Sequence, residues 1–166
     1  KLLIGLLKPV EGVIVKDNRN LFDSKKNLFN WYKNIAYIPQ NVFLNDDDIL
    51  NNIAYGTNIK DINIDQVRKL SRISEIDKFI DNLPKKYFTK VGEKGSKLST
   101  GQKQRIGISR GLYKNPKTIV FDEALNSLDM NNEIKILNNI FENYRKETII
   151  LISHRLTSLI KCDRII

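Results

Sequence analysis

Two neighbouring carboxylates at the end of an apolar run are the residues of this chain best suited to chemistry. Asp122 and Glu123 directly follow residues 118–121, which are continuously apolar and β-branched. Adjacent strand residues point to opposite sides, so one carboxylate can join a Mg²⁺ shell while the other activates a water molecule. The structural alternative is a pair of residues that caps a helix.

A polar segment, residues 98–102, is the second candidate. Ser99 supplies a hydroxyl, and Gly101 allows backbone to come close to a phosphate. A helix predicted from about Gly101 to Lys114 would aim its N-terminal amides at an anion. Ser99 or Thr100 would also serve as an ordinary helix cap, which is the alternative interpretation. The segment is therefore predicted to be an anion site at a helix start.

Two more polar residues lie just beyond predicted strands. His154 comes shortly after the apolar run 148–152. Gln40 comes after the run 35–38, which Pro39 closes. A lone histidine is more often structural than catalytic, and a single glutamine is a weak signal. Their position matters because parallel sheets bind phosphates at the carboxyl ends of their strands. Together with the preceding features they predict ATP hydrolysis.

The elements that must position these side chains indicate an α/β fold with a mainly parallel sheet. The runs 118–121 and 148–152 are continuously apolar, as expected for strands covered on both faces. A helix predicted at 131–143 would connect them as a parallel pair. The other predicted elements are strands at 12–15 and 35–38, a helix tail at 1–7, and helices between 64 and 82 that Pro84 closes.

The composition fits one domain with its own core, at 166 residues and 41% hydrophobic. The apolar start, residues 1–7, is far shorter than the ~20 residues of a membrane span. A single cysteine, Cys162, cannot form an internal disulfide, which favours a reducing compartment. The net charge of +9 comes from scattered lysines without interleaved aromatics, so no nucleic-acid partner is expected.

Together these segments resemble the ATP-binding cassette of an ABC transporter, over essentially the whole chain. The resemblance implies a P-loop NTPase-like fold in which residues 1–166 are a partial ABC ATPase domain. A helical subdomain with the signature region would cover about 45–115, and the remaining core would cover 116–166. The segments that resemble family motifs are 38–40 (Q-loop), 98–102 (signature), 119–123 (Walker B), 127–129 (D-loop) and 153–154 (switch histidine).

The resemblance implies a role for each site residue. Asp122 and Gln40 would hold Mg²⁺, Glu123 would be the general base, and His154 would contact the terminal phosphate of ATP. Gln40 would also take part in catalysis by linking the metal and water to the membrane domain. The nucleotide held by a second cassette, in a homodimer or heterodimer, would be bound by Ser99, Thr100, Gly101, Gln102 and Asp129.

One loop resembles the exporters of this family in particular. Residues 91–95, which include Glu93, are similar to the loop that exporters press against the intracellular helices of their membrane domains. With the Gln40 loop, it implies a transmembrane partner and a place on the cytoplasmic face of the cell membrane. Similarity to lipid-linked oligosaccharide and polysaccharide exporters, and so a lipid or lipid-linked glycan substrate, is suggested by residues 41–44, 52–56 and 83–87.

Departures from the family pattern keep two other functions open. No G-x-x-x-x-G-K-[ST] loop occurs, so we interpret the chain as a fragment that begins after this loop and expect it to be inactive alone. Thr100 stands where the family usually has glycine, and Leu125 and Asn126 replace a small polar pair. The alternatives are a degenerate, non-hydrolysing cassette and a soluble ABC-type ATPase that acts on ribosomes or DNA.

Overall fold

A three-stranded parallel sheet forms the centre of the structure, a computed structural model that describes residues 1–166. The strands are β1 (Val15–Lys16), β2 (Arg19–Asn20), β3 (Ile35–Ile38), β4 (Thr118–Asp122) and β5 (Thr148–Ile152). The central sheet has the order β3-β4-β5, and Thr118 of β4 pairs with both Ile35 and Thr148. Because all three strands run in the same direction, their carboxyl ends lie along one edge.

Seven α-helices accompany this sheet. They are α1 (Lys25–Asn34), α2 (Ile49–Ile53), α3 (Ile64–Ile73), α4 (Asp77–Asp81), α5 (Thr100–Tyr113), α6 (Met130–Asn143) and α7 (Leu156–Leu159). Helix α5 contacts β3 on one side and both α2 and α3 on the other. One continuous hydrophobic core therefore joins the sheet to the helical region. None of these helices combines the length and apolar character that crossing a membrane requires.

The strand and helix predictions around the candidate site are confirmed. The runs at 35–38, 118–121 and 148–152 form β3, β4 and β5, and the last two are parallel neighbours. The helices expected from about 101 to 114 and at 131–143 are α5 and α6. The periodic stretch between 64 and 82 forms α3 and α4, separated by a turn in which Glu75 has a φ of 56°.

The burial of one strand differs from the prediction that both of its faces are covered. Thr118, Ile119, Val120 and Phe121 of β4 are all buried, as expected. The prediction is wrong for β5, whose residues are only half-buried or exposed. β5 is an edge strand, and part of its surface lines an open groove of about 900 Å³.

The N-terminal predictions are wrong in two respects. Residues 1–7 form turns instead of a helix, because Gly5 has a φ of 77° and the carbonyls of Leu3 and Gly5 accept bonds from the side chains of Trp31 and Tyr32. The strand expected at 12–15 is reduced to β1, which forms a short antiparallel hairpin with β2. Helix α1, which Ser24 caps, was not predicted.

Candidate functional site

Glu123 lies at the carboxyl end of β4, in the middle strand of the sheet. Its backbone amide donates to the Ile152 carbonyl at 3.1 Å, which continues the β4–β5 pairing by one residue. Its φ of 52° lies in the left-handed region, which non-glycine residues rarely adopt and which often marks a functional position. The side chain is 27% exposed. The chain thus turns sharply at the residue predicted to be the general base.

Three side chains from three segments converge on the Glu123 carboxylate, and we call these four residues the Glu123 centre. His154 Nε2 lies 3.0 Å from Oε1, and Gln40 Nε2 donates to Oε2 at 3.2 Å. Asn126 Nδ2 also donates to Oε2, at 3.2 Å. A carboxylate oxygen accepts, so the His154 contact is a hydrogen bond when Nε2 carries the proton. The structure therefore brings together Gln40, Glu123 and His154, and adds Asn126, which the sequence marked only as a departure.

Asp122 has a different neighbour. Its Oδ2 accepts a hydrogen bond from the Tyr37 hydroxyl at 2.7 Å, across the β3–β4 pair. This bond, with burial and the negative charge of Asp122, raises the pKa of the Tyr37 phenol. Neither Asp122 nor Glu123 caps a helix, because α6 is capped by Asp129. The helix-cap alternative for the carboxylate pair is therefore wrong.

The oxygens available at this edge suit a magnesium ion. Asp122 Oδ1 and Gln40 Oε1 accept no hydrogen bond from the protein, since the bonds at these side chains involve Oδ2 and Nε2. No group of three or more His, Cys, Asp or Glu side chains is placed to hold a metal. Magnesium on a nucleotide needs only one or two protein oxygens, because phosphates and water supply the rest. Asp122 and Gln40 fit that requirement.

Helix α5 fixes the segment that carries Gln40. Gln104, only 1% exposed, donates from Nε2 to the Pro39 carbonyl at 3.0 Å. One turn further on, a Cβ on Gly107 would lie 2.4 Å from Val42 Cγ2, so only glycine fits at the observed separation. The sequence analysis missed Gln104, although its position two residues after the signature was a usable signal. The signature helix is thus in direct contact with the loop on both sides of Gln40.

The signature residues form a complete capping box at the start of α5. Ser99 Oγ accepts from the Gln102 amide at 3.2 Å, and Gln102 Oε1 accepts from the Ser99 amide at 2.9 Å. The helix-cap interpretation is therefore confirmed. The first amides of a helix lack intrahelical partners, so those of Thr100 and Gly101 remain available to an anion. Both Ser99 and Thr100 are exposed.

The predicted D-loop lies beside the signature. A Cβ built on Gly101 would lie 3.5 Å from Leu128 Cδ2 and 3.6 Å from the Ser127 carbonyl. Asp129 is the exposed N-cap of α6 and accepts from the Asn132 amide at 3.0 Å and from its side chain at 2.6 Å. The Asn132 bonds, the backbone one foremost, lower the pKa of the Asp129 carboxyl. Signature and D-loop thus form one surface.

The loop predicted to face a membrane domain adopts a tight turn. Glu93 begins a short 3₁₀ turn, Glu93–Gly95, and is flanked by two residues with a positive φ, Gly92 at 77° and Lys94 at 50°. The Val91 amide donates to the Asp47 carbonyl at 3.0 Å, which fixes the start of the loop. Glu93 is exposed and makes no hydrogen bond to the Glu123 centre.

An ion pair between a buried carboxylate and a half-buried arginine lies beside the site and was not predicted. Glu133 of α6, with a side chain 3% exposed, pairs with Arg155, the residue after His154. Arg155 Nη1 also donates to the Leu128 carbonyl at 3.2 Å, and Nη2 donates to the Asn126 carbonyl at 3.1 Å. An arginine next to the lone histidine and an acidic residue early in α6 were the only signals in the sequence.

Known proteins are similar to this chain in both sequence and fold. A family model described as "ABC transporter" matches residues 1–126. The chain is 36% identical over 168 residues to "ATP-binding cassette sub-family B member 5" of Homo sapiens, and 37% identical over 166 residues to "ABC transporter ATM1" of Toxoplasma gondii. Each alignment covers 100% of this chain but only 13% and 14% of the relative. The chain therefore spans a small part of these proteins.

A solved structure gives the same result for the fold. The structure of a bacterial Atm1-family ABC exporter with ATP bound superposes with a TM-score of 0.89 at 36% identity. The match covers 98% of this chain and 28% of that chain. The predicted α/β fold of an ABC ATP-binding cassette is thereby confirmed. From its motifs, its fold and these relatives, the chain belongs to the ABC transporter family.

Proposed function

We propose that this chain is part of the ATP-binding and ATP-hydrolysing cassette of an ABC exporter, which couples ATP hydrolysis at a head-to-tail dimer interface to transport. The observation that carries the proposal is the convergence of Gln40 and His154 on the Glu123 carboxylate at the carboxyl edge of a parallel sheet. The cassette would act on the cytoplasmic face of the membrane. The Gln40 loop and the exposed Glu93 loop would contact its transmembrane domain.

In this mechanism Glu123 is the general base. A water molecule that displaces the Gln40 or His154 contact would donate its proton to the carboxylate while its oxygen attacks the terminal phosphorus. The bond from that phosphorus to the bridging oxygen breaks, and ADP and phosphate are the products. His154, with a side chain 80% exposed, has room to turn from Glu123 towards the phosphate. Asp122 and Gln40 would hold Mg²⁺, which neutralises phosphate charge.

The second half of the site would come from another cassette. Thr100 and Gly101 present amides without a partner in the helix, and the D-loop that ends in the exposed Asp129 lies beside Gly101. We infer that this surface binds the phosphates of the nucleotide held by the partner cassette, because helix N-termini attract anions. A single cassette would then hydrolyse ATP poorly, whether the partner is identical or different.

We assign no substrate to this exporter. The lipid-linked glycan suggested by the sequence has no counterpart in the names of the relatives given above. A degenerate cassette is disfavoured because Glu123 retains its bonds to Gln40 and His154. A soluble ATPase acting on nucleic acid has only the net charge of +9 in its favour.

The test is ATP turnover by the full-length protein in lipid vesicles, compared with its Glu123→Gln variant. The amide cannot take a proton from water, so we expect turnover to fall by about 100-fold or more while an ATP-bound dimer accumulates. Glu142→Gln, which changes an exposed carboxylate on α6, is the matched control and should retain turnover. Absence of turnover in the wild type, or normal turnover in Glu123→Gln, contradicts the proposal.

A further inference from the structure

The guanidinium of Arg155 bonds to three residues that lie 22 to 29 positions away from it in the sequence. It pairs with Glu133 on α6 and donates to the carbonyls of Asn126 and Leu128 at 3.1 and 3.2 Å. Both carbonyls belong to the loop after β4, whereas Arg155 belongs to the loop after β5. One side chain therefore connects the loops that follow two neighbouring strands.

Glu133 explains why Arg155 stays in this position. Its side chain is almost completely buried, and its second oxygen accepts a bond from the Ser158 hydroxyl on α7. A buried carboxylate is costly unless it is both paired with a cation and hydrogen-bonded. The planar fork of an arginine can serve a carboxylate and two carbonyls at once, which the single ammonium of a lysine cannot do with the same geometry.

These bonds end next to the Glu123 centre. Asn126, whose carbonyl Arg155 holds, donates from its side chain to Glu123 Oε2. His154, the residue before Arg155, lies 3.0 Å from the other oxygen of the same carboxylate. Arg155 thus holds the backbone of the Asn126 loop and is itself adjacent to His154, without touching Glu123.

We propose that Arg155, held by Glu133, is a positioning residue that sets the loop 126–129 and His154 around Glu123 as a single unit. The inference rests on the proposed function, because it assigns Glu123 and His154 to hydrolysis. Through the same bonds, a shift of the exposed loop 126–129 moves His154 with it. The pair would therefore couple the surface that faces a second cassette to the catalytic edge of the sheet.

The test is steady-state ATP turnover by the full-length protein with Arg155→Lys. Lysine keeps the charge for Glu133 but loses the fork, so kcat should fall by about tenfold while KM for ATP stays within about twofold. Ile136→Val changes a buried residue of α6, the helix that carries Glu133, and is the matched control for lost stability. It should lower the thermal midpoint similarly and leave kcat of the folded protein unchanged.

A second variant decides the case if Arg155→Lys fails to fold. Ser158→Ala removes one bond to Glu133 and leaves the ion pair in place, so kcat should fall by about two- to threefold at unchanged KM. If Arg155→Lys and Ser158→Ala fold and have the same kcat as Ile136→Val, the inference is overturned. Wild-type protein without ATP turnover overturns the proposed function instead, so the two failures are distinguishable.

Discussion

The Glu123 centre and the start of α5 are both built from polar side chains, but they are completed differently. At the Glu123 centre, side chains from three segments are directed at one carboxylate within the chain. At the start of α5, Ser99 and Gln102 satisfy each other and leave the amides of Thr100 and Gly101 without a partner in the helix. The first region is assembled by this chain alone, whereas the second offers donors to something outside it.

In the proposed head-to-tail pair, the two regions would have different tasks. A centre that must orient a base needs several fixed neighbours, which the sheet supplies at the ends of its strands. A surface that must bind and release a partner's nucleotide needs a rigid backbone beneath it and must be accessible to the partner. Helix α5 provides the rigidity and also connects the two regions, because Gln104 holds the Pro39 carbonyl beside Gln40.

The largest expected effect comes from His154→Ala, which tests the Glu123 centre. Removing the imidazole leaves Oε1 of Glu123 without its donor and removes the proposed phosphate contact. We expect kcat of the full-length protein to fall about 100-fold, with ATP binding retained. Stopped-flow phosphate release measures the effect. Turnover within about threefold of wild type would mean that the contact with Glu123 is only structural.

Gly107→Ala tests the connection between the two regions. The new Cβ would lie 2.4 Å from Val42 Cγ2, and this overpacking should cost about 1–3 kcal/mol, more than the ~1 kcal/mol that alanine gains in a helix. Urea unfolding followed by circular dichroism measures the net loss. Adding Val42→Ala to Gly107→Ala should restore most of the lost stability. Gly101→Ala, whose Cβ meets Leu128 at an ordinary 3.5 Å, should not lose stability.

Ser99 variants separate the cap from the anion surface. Ser99→Ala loses the bond to the Gln102 amide and should cost about 1 kcal/mol in the free energy of unfolding. Ser99→Asp keeps an acceptor at the cap and should preserve stability, but its charge should repel a phosphate and reduce turnover about tenfold. Normal turnover in Ser99→Asp would show that no phosphate approaches Ser99.

The smallest effect concerns the pH dependence of the Asp129 cap. Hydrogen bonds from Asn132 lower the pKa of Asp129, so its charge stabilises the fold above its ordinary pKa near 4. That contribution is lost as the pH falls through the lower pKa of the folded state. Asp129→Asn should remove this part of the acid dependence, measured as urea midpoints from pH 6 to pH 3. Asp81→Asn, which removes another exposed carboxylate, should retain this part of the acid dependence.

Local sequence patterns predicted the parts of the fold that local chemistry determines. The apolar runs gave β3, β4 and β5, and the polar residues just after them were rightly expected at one edge. Residues 1–7 were misjudged because a helical composition does not reveal that Gly5 takes a φ of 77° or that side chains of α1 claim the local carbonyls. Only tertiary contacts decide that outcome.

For the candidate site, the sequence predicted the residues but not their supports. Gln40, Glu123 and His154 were expected to act together, and they are in contact. Tyr37, Gln104 and Arg155 escaped notice because each acts through a partner that is distant in the sequence. Such pairs follow from the strand register and helix packing, which no spacing within a single motif encodes.

The single tryptophan determines what optical experiments on this chain can observe. Trp31 is buried on α1, and its indole nitrogen donates to the Leu3 carbonyl at 3.2 Å. Intrinsic fluorescence therefore reports how the N-terminal turn docks on α1. Quenching during titration with a nucleotide would have to be transmitted through β3 to reach this fluorophore. A tryptophan placed at Tyr37, next to Asp122, would bring the emission signal to the site itself.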